Sequence, residues 1–364
     1  MPKIVAFPRH LLPLLRCVQD SSQLLVCHEV QSDKAGITDG SLRCTKCSRE
    51  YAIHDGIVRL ITEALTGETK HEIALKDQEY DTMPEVFTAP VDGWRSEFLD
   101  RIEVPPHLAA LQPLEGRRVL ELGCGDGRFT LLMAQQGAEV LAVDFSIAAL
   151  RKLGARLLSG TAPTTYQIAA KCTGGALAER VGLVQADASA FHVAPRSFDR
   201  ALSATPLDGR DERLQMFRSV AEALRDDGRY VAGVEYDYLQ RRLLGLPVLR
   251  RYTPGGILIE HFDMAKMRRE TAPYFLRLRM SLIRARVPFV KRLPMGLAVR
   301  VSLAVCAIPL LRQMGDILLV CAERPIRLPE EGARRPGFVG AKKFYRRYKR
   351  WKDEDATWDC GELV

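Results

Sequence analysis

Residues 119–133 constrain this chain more than any other stretch. An apolar run, Val119-Leu120-Glu121-Leu122, ends in glycines at 123, 125 and 127 and passes into Arg128-Phe129-Thr130-Leu131-Leu132-Met133. A β-branched and leucine-rich run bounded by glycines reads as a buried strand, and the spacing of Phe129, Leu132 and Met133 reads as the apolar side of a helix. Glycine suits the turn between them because a turn this tight takes positive φ, and because a side chain would block a ligand from the backbone N–H groups at the helix start. The Walker pattern is absent, since no Gly-Lys-Ser/Thr follows. The spacing Glu-x-Gly-x-Gly-x-Gly also departs from the dinucleotide fingerprint G-x-G-x-x-G. A carboxylate at Glu121, two residues ahead of the first glycine, would repel a pyrophosphate but suits the cationic amino end of an amino-acid-like ligand. A plain strand-to-helix turn is the alternative reading of the same glycines.

The segment Glu121-Leu122-Gly123-Cys124-Gly125-Asp126-Gly127 resembles motif I of the class I S-adenosylmethionine-dependent methyltransferases, and three further landmarks follow in that family's order. Val140-Leu141-Ala142-Val143-Asp144-Phe145 places an acid where a Rossmann-type fold takes ribose hydroxyls. Gly182-Leu183-Val184-Gln185-Ala186-Asp187-Ala188 is similar to the segment that meets the adenine amino group, and 197–203 resembles the central fourth strand. The resemblance covers residues 115–240 and implies an α/β fold with a Rossmann-like, mostly parallel, seven-stranded sheet. It also implies S-adenosylmethionine as cofactor, held by Glu121, Gly123, Cys124, Gly125, Gly127, Asp144, Phe145, Asp187, Ala188 and Ser203. Asp144 as a helix N-cap and Asp187 as a turn residue are the plainer readings of those two acids.

The first sixty-two residues read as a unit of their own. Cys44-Thr45-Lys46-Cys47 is a C-x-x-C between short apolar strands, and Cys17-Val18-Gln19-Asp20 repeats the spacing with Asp in the last place. Zinc accepts carboxylate oxygen, so Cys17, Asp20, Cys44 and Cys47 are a candidate tetrahedral set, with Cys27 and His28 in reserve. Residues 42–60 resemble the small zinc ribbon of the methyltransferase-activator family, a unit that often precedes a class I methyltransferase domain. Two readings stay open, a weakened zinc site and a ribbon held by its apolar core without metal; an unrelated C-x-x-C is the bland third.

Residues 63–115 are polar and charged, and five prolines at 84, 90, 105, 106 and 113 predict short, broken helices. The methyltransferase resemblance implies that such a segment covers the cofactor and shapes the acceptor pocket, with Tyr80, Trp94 and Phe98 as pocket candidates, although core packing is the plainer reading of aromatic residues on amphipathic helices. Residues 116–325 alternate strand and helix patterns, which implies a parallel sheet, with an insertion over 237–312. Within that insertion 295–311 is apolar but carries Arg300 and is near the short limit for a span, so it reads as a cover over the sheet edge. A roof over a greasy acceptor, or a basic apolar face resting on membrane lipid, is the sharper alternative. The tail, 326–364, mixes cations with aromatic rings, which would suit RNA, although a packed or solvated tail is the plainer reading.

Charge and cysteine usage add bounds. The net charge of +8 permits nucleic acid or anionic lipid as partners without requiring either. Nine cysteines without obvious pairing, and prolines where a secretory apolar core would run, point to a reducing, cytoplasmic setting. Methyl transfer from a sulfonium mainly needs positioning and exclusion of water, so no single base is marked; His192, Tyr236 and His261 are the catalytic candidates. The leading expectation is a methyltransferase acting on a small hydrophobic or aromatic metabolite. An RNA base methyltransferase and a cofactor-binding adaptor without activity are the competing expectations, and the oligomeric state is open.

Overall fold

The computed structural model describes residues 4–33, 36–61, 67–82, 93–160, 176–204, 213–236, 243–245, 249–252, 258–285, 287, 289–308, 311 and 315–327. The basic tail and the side chain of Trp94 lie outside the described residues.

The chain opens with β1 (Phe7–Pro8), a 3-10 turn (Arg9–Leu14), β2 (Leu24–Ser32), β3 (Gly36–Cys44), β4 (Glu50–His54) and β5 (Ile57–Arg59). β4 turns Tyr51 and Ile53 inward and their neighbours outward, the alternation of a strand with one wet face. α1 (Gly67–Thr82) and α2 (Gly93–Leu111) follow. The prolines predict a break here, yet α2 runs 19 residues through Pro105 and Pro106. An interior proline costs a helix about 3 kcal/mol, and burial of Ile102, Val104, His107 and Leu111 offsets it. Strand and helix then alternate through β6 (Arg118–Leu122), α3 (Thr130–Gln135), β7 (Glu139–Asp144), α4 (Ile147–Ser159), β8 (Val181–Gln185), β9 (Phe198–Ser203), α5 (Arg213–Ala223) and β10 (Leu224–Glu235). A hairpin of β11 (Arg250–Tyr252) and β12 (Leu258–Glu260), α6 (Met264–Thr271), β13 (Phe275–Ala285), α7 (Met295–Ala307) and β14 (Gly315–Pro325) complete the described chain.

The seven strands expected are present in the order β8-β7-β6-β9-β10-β14-β13, but the sheet does not stop there. It has twelve strands, and the expected count of seven is corrected accordingly. β5 lies parallel to β8, with Ile57 opposite Leu183 and Arg59 opposite Gln185, and β4, β3, β1 and β2 continue outward from it. Pairing in this way satisfies the N–H and C=O groups that β8 would otherwise present as an open edge. β14 runs antiparallel between β10 and β13, so β13 belongs to the main sheet although it lies inside the stretch read as an insertion.

Apolar clusters fill both faces. Val119, Phe129, Met133, Leu150 and Leu153 pack on one side. On the other, Leu120, Leu122, Phe198, Phe217 and Tyr230 share a cluster with Leu14, Ile37, Leu42 and Ile53 from the N-terminal strands. The N-terminal strands therefore share both a sheet and a core with the rest of the chain. From β6 the chain moves outward through β7 and β8, then crosses back to β9 on the far side of β6. The crevice beyond the carboxyl ends of β6 and β9, where strand order reverses, is where open α/β sheets bind ligands.

Candidate functional site

The glycine turn sits at that crevice. Successive side chains of a strand point to opposite faces, so Glu121 shares the face of Val119 and meets α3, where the Thr130 hydroxyl donates to its Oε2 at 2.5 Å. Both side chains are buried, and burial pushes the Glu121 carboxyl up to about 8, with the Thr130 bond pulling the other way and Asp144 adding to the rise. Gly123 and Gly125 take left-handed φ of 71° and 53°. The N–H groups of Gly123 and Cys124 both donate to the Val143 carbonyl, and that of Gly125 donates to Asp144 Oδ2 at 2.8 Å. The turn is thus laced to the end of the neighbouring strand.

Asp144 ends β7 and spends its other oxygen on the N–H of Ser146, whose hydroxyl caps α4 by accepting from the Ala149 N–H. Asp144 is raised above the ordinary carboxylate range chiefly by burial, and Asp126 likewise, with Arg156 opposing the shift. Phe145 is half-buried beside it, and its carbonyl accepts from the Gln185 side chain at 3.1 Å, which ties the ends of β7 and β8 together. Asp187 and Ala188 follow β8; the Asp187 carboxylate accepts from the N–H and hydroxyl of Ser189, a local turn. Ser203 is buried at the end of β9. All ten residues expected to bind cofactor therefore lie at or just beyond the carboxyl ends of four adjacent strands.

α1 covers this turn. Asp77 accepts from the Ser146 hydroxyl at 2.6 Å and from the Ala148 N–H at 3.1 Å, and the Lys152 ammonium donates to the Tyr80 carbonyl. The Tyr80 hydroxyl stands 2.5 Å from where a Cβ on Gly125 would lie. Burial and the nearby acids Asp144 and Asp126 hold that phenol above its usual range.

Residues 119–228 match the family model described as a methyltransferase domain. The matched stretch contains Glu121, the three glycines, Asp144, Asp187 and Ser203. Among curated proteins, the chain is similar to phosphoethanolamine N-methyltransferase 3 of Arabidopsis thaliana, 50% identical over 54 residues, 15% of this chain and 11% of that protein. It is also similar to a ubiquinone biosynthesis O-methyltransferase of Alkalilimnicola ehrlichii, 55% identical over 38 residues, 10% of this chain and 15% of that one. The chain thus matches about a tenth to a seventh of the length of these relatives. Among solved structures, the Burkholderia thailandensis 1,6-didemethyltoxoflavin-N1-methyltransferase with bound 1,6-didemethyltoxoflavin and S-adenosylhomocysteine superimposes with a TM-score of 0.45 and 15% identity, over 79% of this chain and 99% of that one.

Outside the methyltransferase-domain match, Cys17, Asp20, Cys44 and Cys47 come together, with one ligand atom from each lying within 4.8 Å of the others. The N–H groups of Lys46 and Cys47 both donate to Cys44 Sγ at 3.4 Å, an arrangement that stabilises a thiolate. Cys17 Sγ lies 3.1 Å from the Tyr51 hydroxyl and 3.6 Å from Cys47 Sγ. A backbone bond from Ser22 holds the Asp20 carboxyl down at about 2, so it presents an ionised oxygen.

The three catalytic candidates do not form one group. Tyr236 and His261 are both buried beyond the end of β10, with His261 Nδ1 3.3 Å from the Tyr236 carbonyl oxygen. His192 faces Glu222 and Arg218 of α5 instead, and burial lowers it below its usual value.

Thr130, Asp77 and a buried ion network escaped the sequence reading. In the network Arg128, next to the last glycine, bonds Asp100 at 2.9 Å and Glu103 at 3.0 Å. Glu103 also bonds Arg284, which reaches Asp316 at 2.5 Å. Arg284 and Asp316, with Phe98, Leu99, Val287 and Phe289, line a cavity of about 570 Å³. The motif itself could have flagged Thr130, since a hydroxyl opening the helix after the turn is the nearest donor to the strand's acid. Nothing local marks Asp77 or the network, whose partners lie far apart in the chain.

Proposed function

We propose that the chain transfers a methyl group from S-adenosylmethionine to a small hydrophobic or aromatic metabolite. The observation that carries this reading is the gathering of Glu121, Asp126 and Asp144 around a left-handed glycine turn, with burial driving all three carboxyls upward. Arg156 pairs with Asp126 at 2.9 Å, which leaves Glu121 and Asp144 as the two acids that a bound cation would serve. A cationic ligand supplies that charge, whereas a pyrophosphate would add repulsion. The fit is tested at Gly125, where positive φ and the Tyr80 hydroxyl leave no room for a side chain between the backbone and α1.

In this reading Glu121 faces the amino end of the cofactor, Asp144 its ribose, and Phe145, Asp187 and Ala188 its adenine, with Ser203 at the floor of the crevice. S-adenosylmethionine, when bound, supplies an electrophilic methyl group. The protein's part is to hold donor and acceptor in line and to exclude water, and α1 with Tyr80 is placed to do the second. The cavity beside Arg284, walled by Phe98, Leu99, Val287 and Phe289, suits an apolar or aromatic acceptor. It is joined to the glycine turn through Glu103 and Arg128.

Incubation with methyl-labelled S-adenosylmethionine and a fractionated cell extract tests the proposal. Label in an organic-extractable small molecule supports it; label in RNA or protein alone, or none, refutes the acceptor class.

We propose also that Cys17, Asp20, Cys44 and Cys47 hold one zinc ion, which would clamp β3 to the loop following the first 3-10 turn. The donor set fits, with three sulfurs, one ionised carboxylate and N–H groups aimed at Cys44. Elemental analysis of the purified chain should find about one zinc per chain, and the Cys44→Ser variant should lose it.

A further inference from the structure

α7 fully buries only Ala298, Ser302 and Cys306, a stripe of small residues spaced by four, and turns Leu297 and Leu303 outward. Leu297 is 48% exposed and Leu303 is 40% exposed, and Ile308 and Leu311 continue the exposed apolar surface beyond the helix. The turn leading into α7 adds Phe289, which is 72% exposed and takes a left-handed φ of 61°. A bulky residue held at that φ is uncommon and strained. The Arg292 guanidinium lies over its ring at 4.8 Å. A helix of a soluble protein ordinarily does the reverse, burying its large apolar side chains.

The segment that forms this face carries charge of one sign. Between Glu270 and Asp316 the sequence carries eight Lys or Arg and no acid. Arg284 is engaged inward, but Lys291, Arg292 and Arg300 are exposed around the apolar surface. At 100° per residue Arg300 falls in the middle of the arc set by Leu297, Leu303 and Ile308. An apolar protein partner would bury that cation without an anion. A bilayer interface offers phosphate and hydrocarbon side by side, and a long cationic side chain snorkels to the phosphate. No helix among the described residues is long and apolar enough to cross a membrane, so the contact is peripheral.

We propose that α7 and the turn at Phe289 form a docking face for an anionic lipid surface. Phe289, Val290, Lys291 and Arg292 also line the 570 Å³ cavity, so its mouth abuts that face. An acceptor dissolved in lipid would reach the cavity without crossing water; this last step alone rests on the methyl-transfer reading.

The test is sedimentation of the full chain with vesicles of phosphatidylcholine, or of phosphatidylcholine mixed with phosphatidylglycerol, with S-adenosylmethionine left out so that the outcome is independent of methyl transfer. The chain should sediment with the mixed vesicles and not with the neutral ones. Leu303→Glu and Phe289→Ala, both at exposed positions, should each weaken that binding about tenfold while leaving the circular dichroism spectrum unchanged. Absence of binding to the mixed vesicles would overturn the proposal, as would binding that both variants retain in full. A concentration-dependent dimer that Leu303→Glu dissolves would assign the face to a second copy and overturn it equally.

Discussion

At Glu121 burial and ligand charge pull in opposite directions. Its folded value of about 8 lies above the ordinary 4.5, so the folded chain binds this proton more tightly than the unfolded chain does. The stability linked to that proton is fully present below pH 4.5 and is lost as pH rises through about 8. Denaturant unfolding without cofactor should therefore show stability falling from about pH 5 to about pH 8.5, and Glu121→Gln, which keeps an acceptor for Thr130, should flatten that slope. The glycines are the second test at this scale. Gly125→Ala puts a Cβ against the Tyr80 hydroxyl at a left-handed φ and should cost about 1–3 kcal/mol of stability, with S-adenosylmethionine affinity measured beside it falling about tenfold or more. Glu121, Asp144 and the glycines were legible because motif spacing encodes them. The engagement of Asp187 with Ser189 was visible only as a turn alternative, and Thr130, a donor that its helix-opening position offers, is fixed as the partner of Glu121 only once the face of β6 is known.

α1 shows what an element contributes when its own pattern says little. It carries no strong apolar stripe, yet Asp77 bonds two donors at the start of α4 and Tyr80 lies over the turn. Asp77→Ala removes both bonds and should cost about 1–2 kcal/mol of stability. In a methyl-transfer assay it should raise the KM for S-adenosylmethionine more than it lowers kcat; an unchanged KM would place α1 outside the site. α2 teaches the converse. Its prolines read as breaks because local rules see only the lost N–H and the ring, while the burial of Ile102, Val104, His107 and Leu111 that sustains the helix comes from tertiary contacts. The alternating elements over 117–324 were legible from period and glycine punctuation. The place of the long β13 in the main sheet was not legible, because pairing with β14 is a long-range choice.

Across the whole molecule the N-terminal strands are an extension of the main sheet rather than an appendage. The sequence shows a C-x-x-C unit with its own short strands, and nothing in local pattern says that β5 will pair with β8 or that Leu14, Ile37 and Ile53 will share a cluster with Val143 and Val184. Because sheet and core are continuous, loss of the proposed zinc should be felt by the whole fold. Chelation, or Cys44→Ser, should lower the Tm of the single unfolding transition, and a separate early transition confined to the N-terminal strands would contradict this continuity. The 3-10 turn links the proposed metal ligands to the glycine crevice, since the Leu14 carbonyl accepts from the Ala194 N–H and Leu15 bridges Val193, in the same loop that begins with Asp187.

In the methyl-transfer reading, buried carboxyls around the glycine turn await a cation. Titration calorimetry with S-adenosylmethionine at about pH 7, in two buffers of different ionisation heat, reads this directly. A cation beside Glu121 favours its ionised form, so binding should release a proton and the apparent enthalpy should differ between buffers, while a nicotinamide dinucleotide gives no heat. Absence of binding by S-adenosylmethionine, or binding by the dinucleotide in its place, would contradict the account.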